Sequence, residues 1–209
     1  MQTMRMLFGI LTMTAVLVGN SVVYATSTPT ETVIDTLITV MGIINDPMYQ
    51  QPGMSDARRA ALDTELRNSV NYREMARRSL GVTWVALSES EQQRFGDLFL
   101  QVLRDALSSR MNMYSDAEVI YLGERREGNF AEVRILFRQH KSDTIVNLQL
   151  VNQSDHWLVD DAVIDGVRLI ANYRSQFVHV MKEAAYVGLV AKIEAMTLLP
   201  KSFERTVMR

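Results

Sequence analysis

The chain lacks cysteine altogether, has only four prolines in 209 residues, and carries almost no excess of either charge, with 22 Lys plus Arg against 24 Asp plus Glu. Without Cys there are no disulfides, no thiolate metal sites, no Cys nucleophile and no lipid-modified N-terminal Cys. A formal net charge of -2 leaves no basic field to hold nucleic acid. None of the ten Gly falls in the GxGxxG or GxxxxGK spacing of a phosphate loop, and no G-x-S-x-G elbow is present. The three His, His140, His156 and His179, share no helix at metal-ligand spacing and have no carboxylate at motif distance. What the chain does have is apolar material, 47% of its residues, in the amount a globular domain buries.

The N-terminus is the first positive signal. Arg5 precedes the apolar run Leu7–Val18, and Val23 and Ala25 stand at the third and first positions before a cut after Ala25. The run is shorter than the roughly 20 residues a membrane span requires. Residues 1–25 therefore read as a cleaved secretory signal and 26–209 as one exported domain. Four of the 13 Met, namely Met1, Met4, Met6 and Met13, belong to that signal. An exported chain without Cys suits a bacterial periplasm.

Helical periodicity covers 31–114. Glu31–Asn45 carries Val33, Leu37, Val40, Met41 and Ile44 on one face and stops at Asn45-Asp46-Pro47. Ser55 is expected to cap a second helix through Val70, and Asn71 with Glu74 forms a capping box for a short helix ending at Gly81. Ser88 with Glu91 is a second capping box, and it opens the longest expected helix, Glu89–Tyr114. From Ala117 the period becomes two. The strands expected are Glu118–Arg126, Phe130–Gln139, Thr144–Gln153 and Trp157–Ile164, with connections short enough for an antiparallel meander. Helical spacing returns over Val167–Ala184, with Gly188 as the expected break before Leu189–Leu199. The fold class is α+β: helical 31–114, a four-stranded sheet over 117–165, helical 167–199.

Chemistry-bearing clusters are few. Asp160, Asp161 and Asp165 lie near a strand end, where Asp161 or Asp165 is a candidate general base and equally a candidate for ordering the turn into the last helix. The pairs Arg58-Arg59, Arg77-Arg78 and Arg125-Arg126 are scattered and balanced by acids, as on solvated faces. The large apolar side chains either fill a core or line a cavity beneath the sheet, and composition does not choose between these.

Three ordered segments carry a resemblance. They are Val70-Asn71-Tyr72-Arg73-Glu74-Met75-Ala76-Arg77-Arg78-Ser79-Leu80-Gly81 with Trp84 and Leu87–Phe95; Trp157-Leu158-Val159-Asp160-Asp161-Ala162-Val163-Ile164-Asp165-Gly166-Val167; and Asn172-Tyr173-Arg174-Ser175-Gln176-Phe177. Together they resemble the MlaC/toluene-tolerance family of periplasmic phospholipid carriers, over Glu31 to Leu199. Two positions depart from the family pattern: Arg168 replaces the usual Ser, and Asp160 a frequent aromatic. The resemblance implies an NTF2-like curved sheet with added helices around an apolar cavity. It implies a non-enzymatic carrier with no cofactor, whose cargo is phospholipid and which serves inner-membrane ABC-type and outer-membrane lipid complexes of a Gram-negative periplasm. A monomer is expected, with Arg168, Arg174 and Arg77-Arg78 as candidate docking charges. The residues expected to contact acyl chains are Phe95, Phe99, Val102 and Leu103; Val133, Ile135, Phe137, Val146, Leu148 and Leu150; and Ile170, Tyr173, Phe177 and Met181. The alternatives are a hopanoid or other apolar cargo, and an NTF2-like enzyme using Asp161 or Asp165.

Overall fold

The computed structural model describes residues 27–114, 116–140 and 142–198, so the expected signal over 1–25 lies outside the described residues. Five helices precede the sheet: α1 (Pro29–Asn45), α2 (Ser55–Ser69), α3 (Tyr72–Leu80), α4 (Val82–Val85) and α5 (Glu89–Met113). The strands are β1 (Glu118–Glu127), β2 (Phe130–Arg138), β3 (Asp143–Gln153), β4 (His156–Ile164) and β5 (Val167–Arg168), and α6 (Leu169–Leu198) closes the fold. The sheet is an antiparallel meander in the order β1-β2-β3-β4-β5.

Local chemistry sets most of the boundaries. Thr28 and Glu31 form a capping box on α1 with Pro29 at its start, two residues before the expected beginning. Ser88 and Glu91 form the expected box on α5. Two other expected caps are not made. Met54, not Ser55, precedes α2, and its side chain accepts no capping bond. Asn71 does precede α3, but its Nδ2 donates to Asp160 Oδ1 at 3.0 Å, while Glu74 accepts from Arg77. A charged tertiary partner outcompetes the weak local cap. Gly81 ends α3 with φ +61, where the guanidinium of Arg174 lies so close that a Cβ would meet it at 2.9 Å.

The sheet has five strands, one more than the four expected. Asp165 and Gly166 both have positive φ, 47 and 83, which is the backbone of a tight two-residue hairpin. The chain therefore returns alongside β4, pairing Ile164 with Val167 and Val163 with Arg168 before α6 begins. The break expected at Gly188 falls instead at Ala185, whose φ 55 and ψ -172 interrupt α6. Gly188 serves that break sterically, since a Cβ on it would sit 2.2 Å from that of Ala184.

Two apolar clusters follow. In the helical one, α3, α5 and α6 meet through Met75, Leu80, Phe95, Phe99, Tyr173, Phe177 and Ile193. In the other, α1 lies on the sheet, with Val33, Val40 and Ile44 against Val133, Ile135, Leu150 and Trp157. The long edge strand β1 is exposed over most of its length and bears Glu118, Glu124, Arg125, Arg126 and Glu127, charges that discourage edge pairing with another chain. Arg104 joins α2 to α5: it is buried, 5% exposed, and its guanidinium reaches Asp63 at 3.0 Å and Asp105 at 2.8 Å.

Candidate functional site

Between the C-terminal half of α5 and the inner face of the sheet lies a cavity of about 170 Å³. The sheet offers Ile135 and Phe137 from β2, Val146 and Leu148 from β3, and Val159, Ala162 and Ile164 from β4. Side chains alternate across each strand and the register aligns them, Ile135 opposite Val146 and Leu148 opposite Ala162, while an extra residue in β4 at Asp160 shifts the register and brings Val159 to the same face as Ala162 and Ile164. Helix α5 supplies Leu103, Ala106, Leu107, Arg110 and Met111, and Tyr114 just past its end adds a ring. Leu37, Leu66, Val70, Met75, Leu169 and Tyr173 close the ends.

The expected contact residues divide between this cavity and its surroundings. Leu103, Ile135, Phe137, Val146, Leu148 and Tyr173 line it. Phe95, Phe99, Val102, Ile170 and Phe177 are buried in the helical cluster, with Met181 packed against it. There Phe95 meets Phe177 edge-on at 5.8 Å and Phe99 meets Tyr173 at 5.4 Å, so the aromatics fill one another's space. Val133 and Leu150 are buried in the cluster between α1 and the sheet.

Besides Ala106, Leu169 and the β4 residues Val159, Ala162 and Ile164, the lining residues absent from the expected set fall into two groups. Leu107, Arg110, Met111 and Tyr114 continue the stripe of Leu103 at spacings of three and four, a signal present in the sequence. Leu37, Leu66, Val70 and Met75 reach the cavity only because α1, α2 and α3 fold back over it. One bond that seats them is Asn71 N–H to Val159 O at 2.8 Å, which pins the α2–α3 junction to β4.

Polar groups at the cavity are sparse. Tyr114 stacks on Phe137 with ring centres 4.8 Å apart and donates its hydroxyl to Thr144 Oγ1 at 3.2 Å. Burial holds the Tyr173 hydroxyl far above the ordinary phenol range, against a smaller opposing pull from Arg110.

The aspartate cluster faces elsewhere. Asp161 pairs in register with Gln149, on the face opposite Leu148 and Ala162. Its Oδ1 accepts from the backbone N–H of Ala162 at 2.8 Å and of Ile170 at 3.2 Å, and Arg168 Nη1 donates to Oδ2 at 3.2 Å. A buried carboxylate is thereby spent on the first turn of α6, where the helix dipole favours it. Asp165 is exposed and accepts from Ile145 N–H at 3.0 Å in the hairpin turn. Asp160 meets Arg78 at 2.9 Å, and burial raises its carboxyl in spite of Arg78 and Asn71. None of the three lines the cavity. This is the arrangement of turn and helix anchors, and it places no base at the apolar wall.

His140 and His156 are exposed, and His179 is exposed beside Glu183 at 3.5 Å. Among the described residues no group of three or more His, Cys, Asp or Glu is placed to hold a metal ion. No helix of the described residues is long and apolar enough to cross a membrane.

Comparison with known proteins places this geometry in context. The family model described as MlaC protein matches residues 34–195. Among solved structures, a phospholipid-binding protein from Ralstonia solanacearum, determined in complex with a phospholipid, has the same fold with a TM-score of 0.69 at 19% identity, covering 82% of this chain and 97% of that one. No curated protein matches the chain.

Proposed function

The chain belongs to the MlaC family, and from that premise we propose that it is a non-enzymatic phospholipid carrier that holds acyl chain in the cavity between α5 and the sheet. The observation that carries this reading is the cavity wall, which is apolar on every side except for Arg110 and the tyrosine hydroxyls. Each CH₂ removed from water contributes roughly 0.8 kcal/mol. Two sixteen-carbon chains therefore cost on the order of 20 kcal/mol or more to expose, and an aqueous gap between membranes is closed to the free lipid. A carrier needs an apolar volume and a way out of it, and needs no nucleophile.

The cavity of about 170 Å³ sets the form of binding. An apolar cavity of about 150 Å³ accommodates a benzene ring. This one has room for a segment of a chain, so loading a whole diacyl lipid entails parting α5 and α1 from the sheet. The reading extends to a periplasmic shuttle, exported by the segment 1–25, that exchanges lipid with an inner-membrane ABC-type complex and an outer-membrane complex. Arg77, Arg78, Arg168 and Arg174 are its candidate docking charges.

Native mass spectrometry of the protein purified without detergent is the test. The expected result is an added mass equal to a diacyl phospholipid, lost when the protein is denatured in organic solvent. An unmodified mass from every gentle preparation, with no uptake from phospholipid vesicles, would overturn the proposal.

A further inference from the structure

Among the described residues one cation stands on the cavity wall. Arg110 lies in the last turn of α5, three residues past Leu107 and four before Tyr114, on the stripe that faces the sheet. The remaining lining side chains are aliphatic, thioether or aromatic. Arg110 is half-buried, and among the described residues its guanidinium has no ion pair and no hydrogen bond. Arg104, six residues earlier on the same helix, is the contrast, since two carboxylates neutralise it.

A cation in the last turn of a helix is favoured by the helix dipole. That field accounts for a basic residue there, though not for one turned toward an apolar space. A charge at the edge of a low-dielectric cavity is costly unless it meets water or an anion. The long apolar stem of Arg lets it line the wall while its head reaches the rim. Its planar fork matches the oxygens of a phosphate in two parallel bonds.

We propose that Arg110 is the counter-ion for the phosphodiester of the lipid held in this cavity, with the acyl chain against Leu103, Ile135 and Leu148 and the phosphate at the rim. The assignment rests on the carrier reading above and adds a residue and a selectivity to it. Arg110 is then the residue that ranks a phospholipid above a neutral diacylglycerol of the same chains.

The experiment offers delipidated protein to vesicles containing equal amounts of phosphatidylglycerol and the diacylglycerol with identical chains, and counts bound lipid by native mass spectrometry. The unaltered protein takes up the phospholipid preferentially. Arg110→Gln lowers that preference about tenfold, equivalent to about 1.4 kcal/mol, read as the ratio of the two lipids bound. Arg110→Met, which keeps the apolar stem, gives the same shift should the Gln variant fold poorly. Equal preference in unaltered and substituted proteins, with lipid still bound, overturns the role of Arg110 and leaves the carrier reading standing. Failure of the unaltered protein to take up either lipid overturns both. Excess inorganic phosphate leaves lipid uptake unchanged; uptake of phosphate alone, lost in Arg110→Gln, would overturn the lipid-head assignment in favour of a free-anion site.

Discussion

The two halves of α5 bury apolar side chains equally well and to different ends. In the first half Phe95 and Phe99 are wholly enclosed, in ring contact with Trp84, Tyr173, Phe177 and Tyr186. In the second half Leu103, Leu107, Met111 and Tyr114 face a cavity of about 170 Å³. The helical period is the same in both. What differs is the opposing surface: the first half meets aromatic rings from α6, and the second meets the inner face of the sheet. Apolar periodicity thus identifies a buried side, and the shape of what lies opposite decides whether that side is filled.

Substitutions on each side of this divide should separate stability from loading. The largest effect is expected from Phe95→Ala, which opens a hole in a packed aromatic cluster. It should cost about 3–5 kcal/mol in urea unfolding with lipid bound per folded molecule unchanged. Loss of lipid at undiminished stability would place Phe95 in the binding site. A smaller stability effect is expected from Leu148→Trp, which puts the larger ring into open space and should cost about 1–3 kcal/mol or less while lowering lipid occupancy severalfold.

Leu150→Trp is its control. It lies two residues along on the same strand face, is 1% exposed and does not line the cavity. Its stability loss should exceed that of Leu148→Trp. Equal ratios of lipid loss to stability loss in the two variants would mean that the wall is ordinary core. The smallest effect belongs to Ser88→Ala, which removes the cap of α5 at the far end from the cavity. It should cost about 1 kcal/mol, a fall in melting temperature of about 2–4 °C for a chain of this size, with lipid uptake unaltered.

Some features were legible in the residues alone because their causes are local. The Ser88–Glu91 box, the two-residue period from Ala117 onward and the short strand connections each specify their element within a few positions. Asp165-Gly166 is equally local as a hairpin turn, yet the apolar spacing that follows it continues the helical period through Val167 and masks the short strand β5. Other features had no local cause. Asn71 and Glu74 have the spacing of a capping box, but Asp160 and Arg77 claim their side chains. Asp161 reads as a base or an anchor until its partners, Ile170 N–H and Arg168, are brought to it by β5 and α6.

The chain's order and periodicity were enough to establish an α+β meander between helices, because the hydrophobic effect depends on apolar area and local geometry sets which residues share a face. The cavity was decided only in three dimensions. Whether Phe99 or Leu107 faces another side chain or open space depends on how elements distant in sequence meet, and close packing is a property of both surfaces at once. The same holds for charge. Arg104 and Arg110 are alike in sequence, and it is the fold that brings two carboxylates to one and leaves the other at the edge of an apolar space.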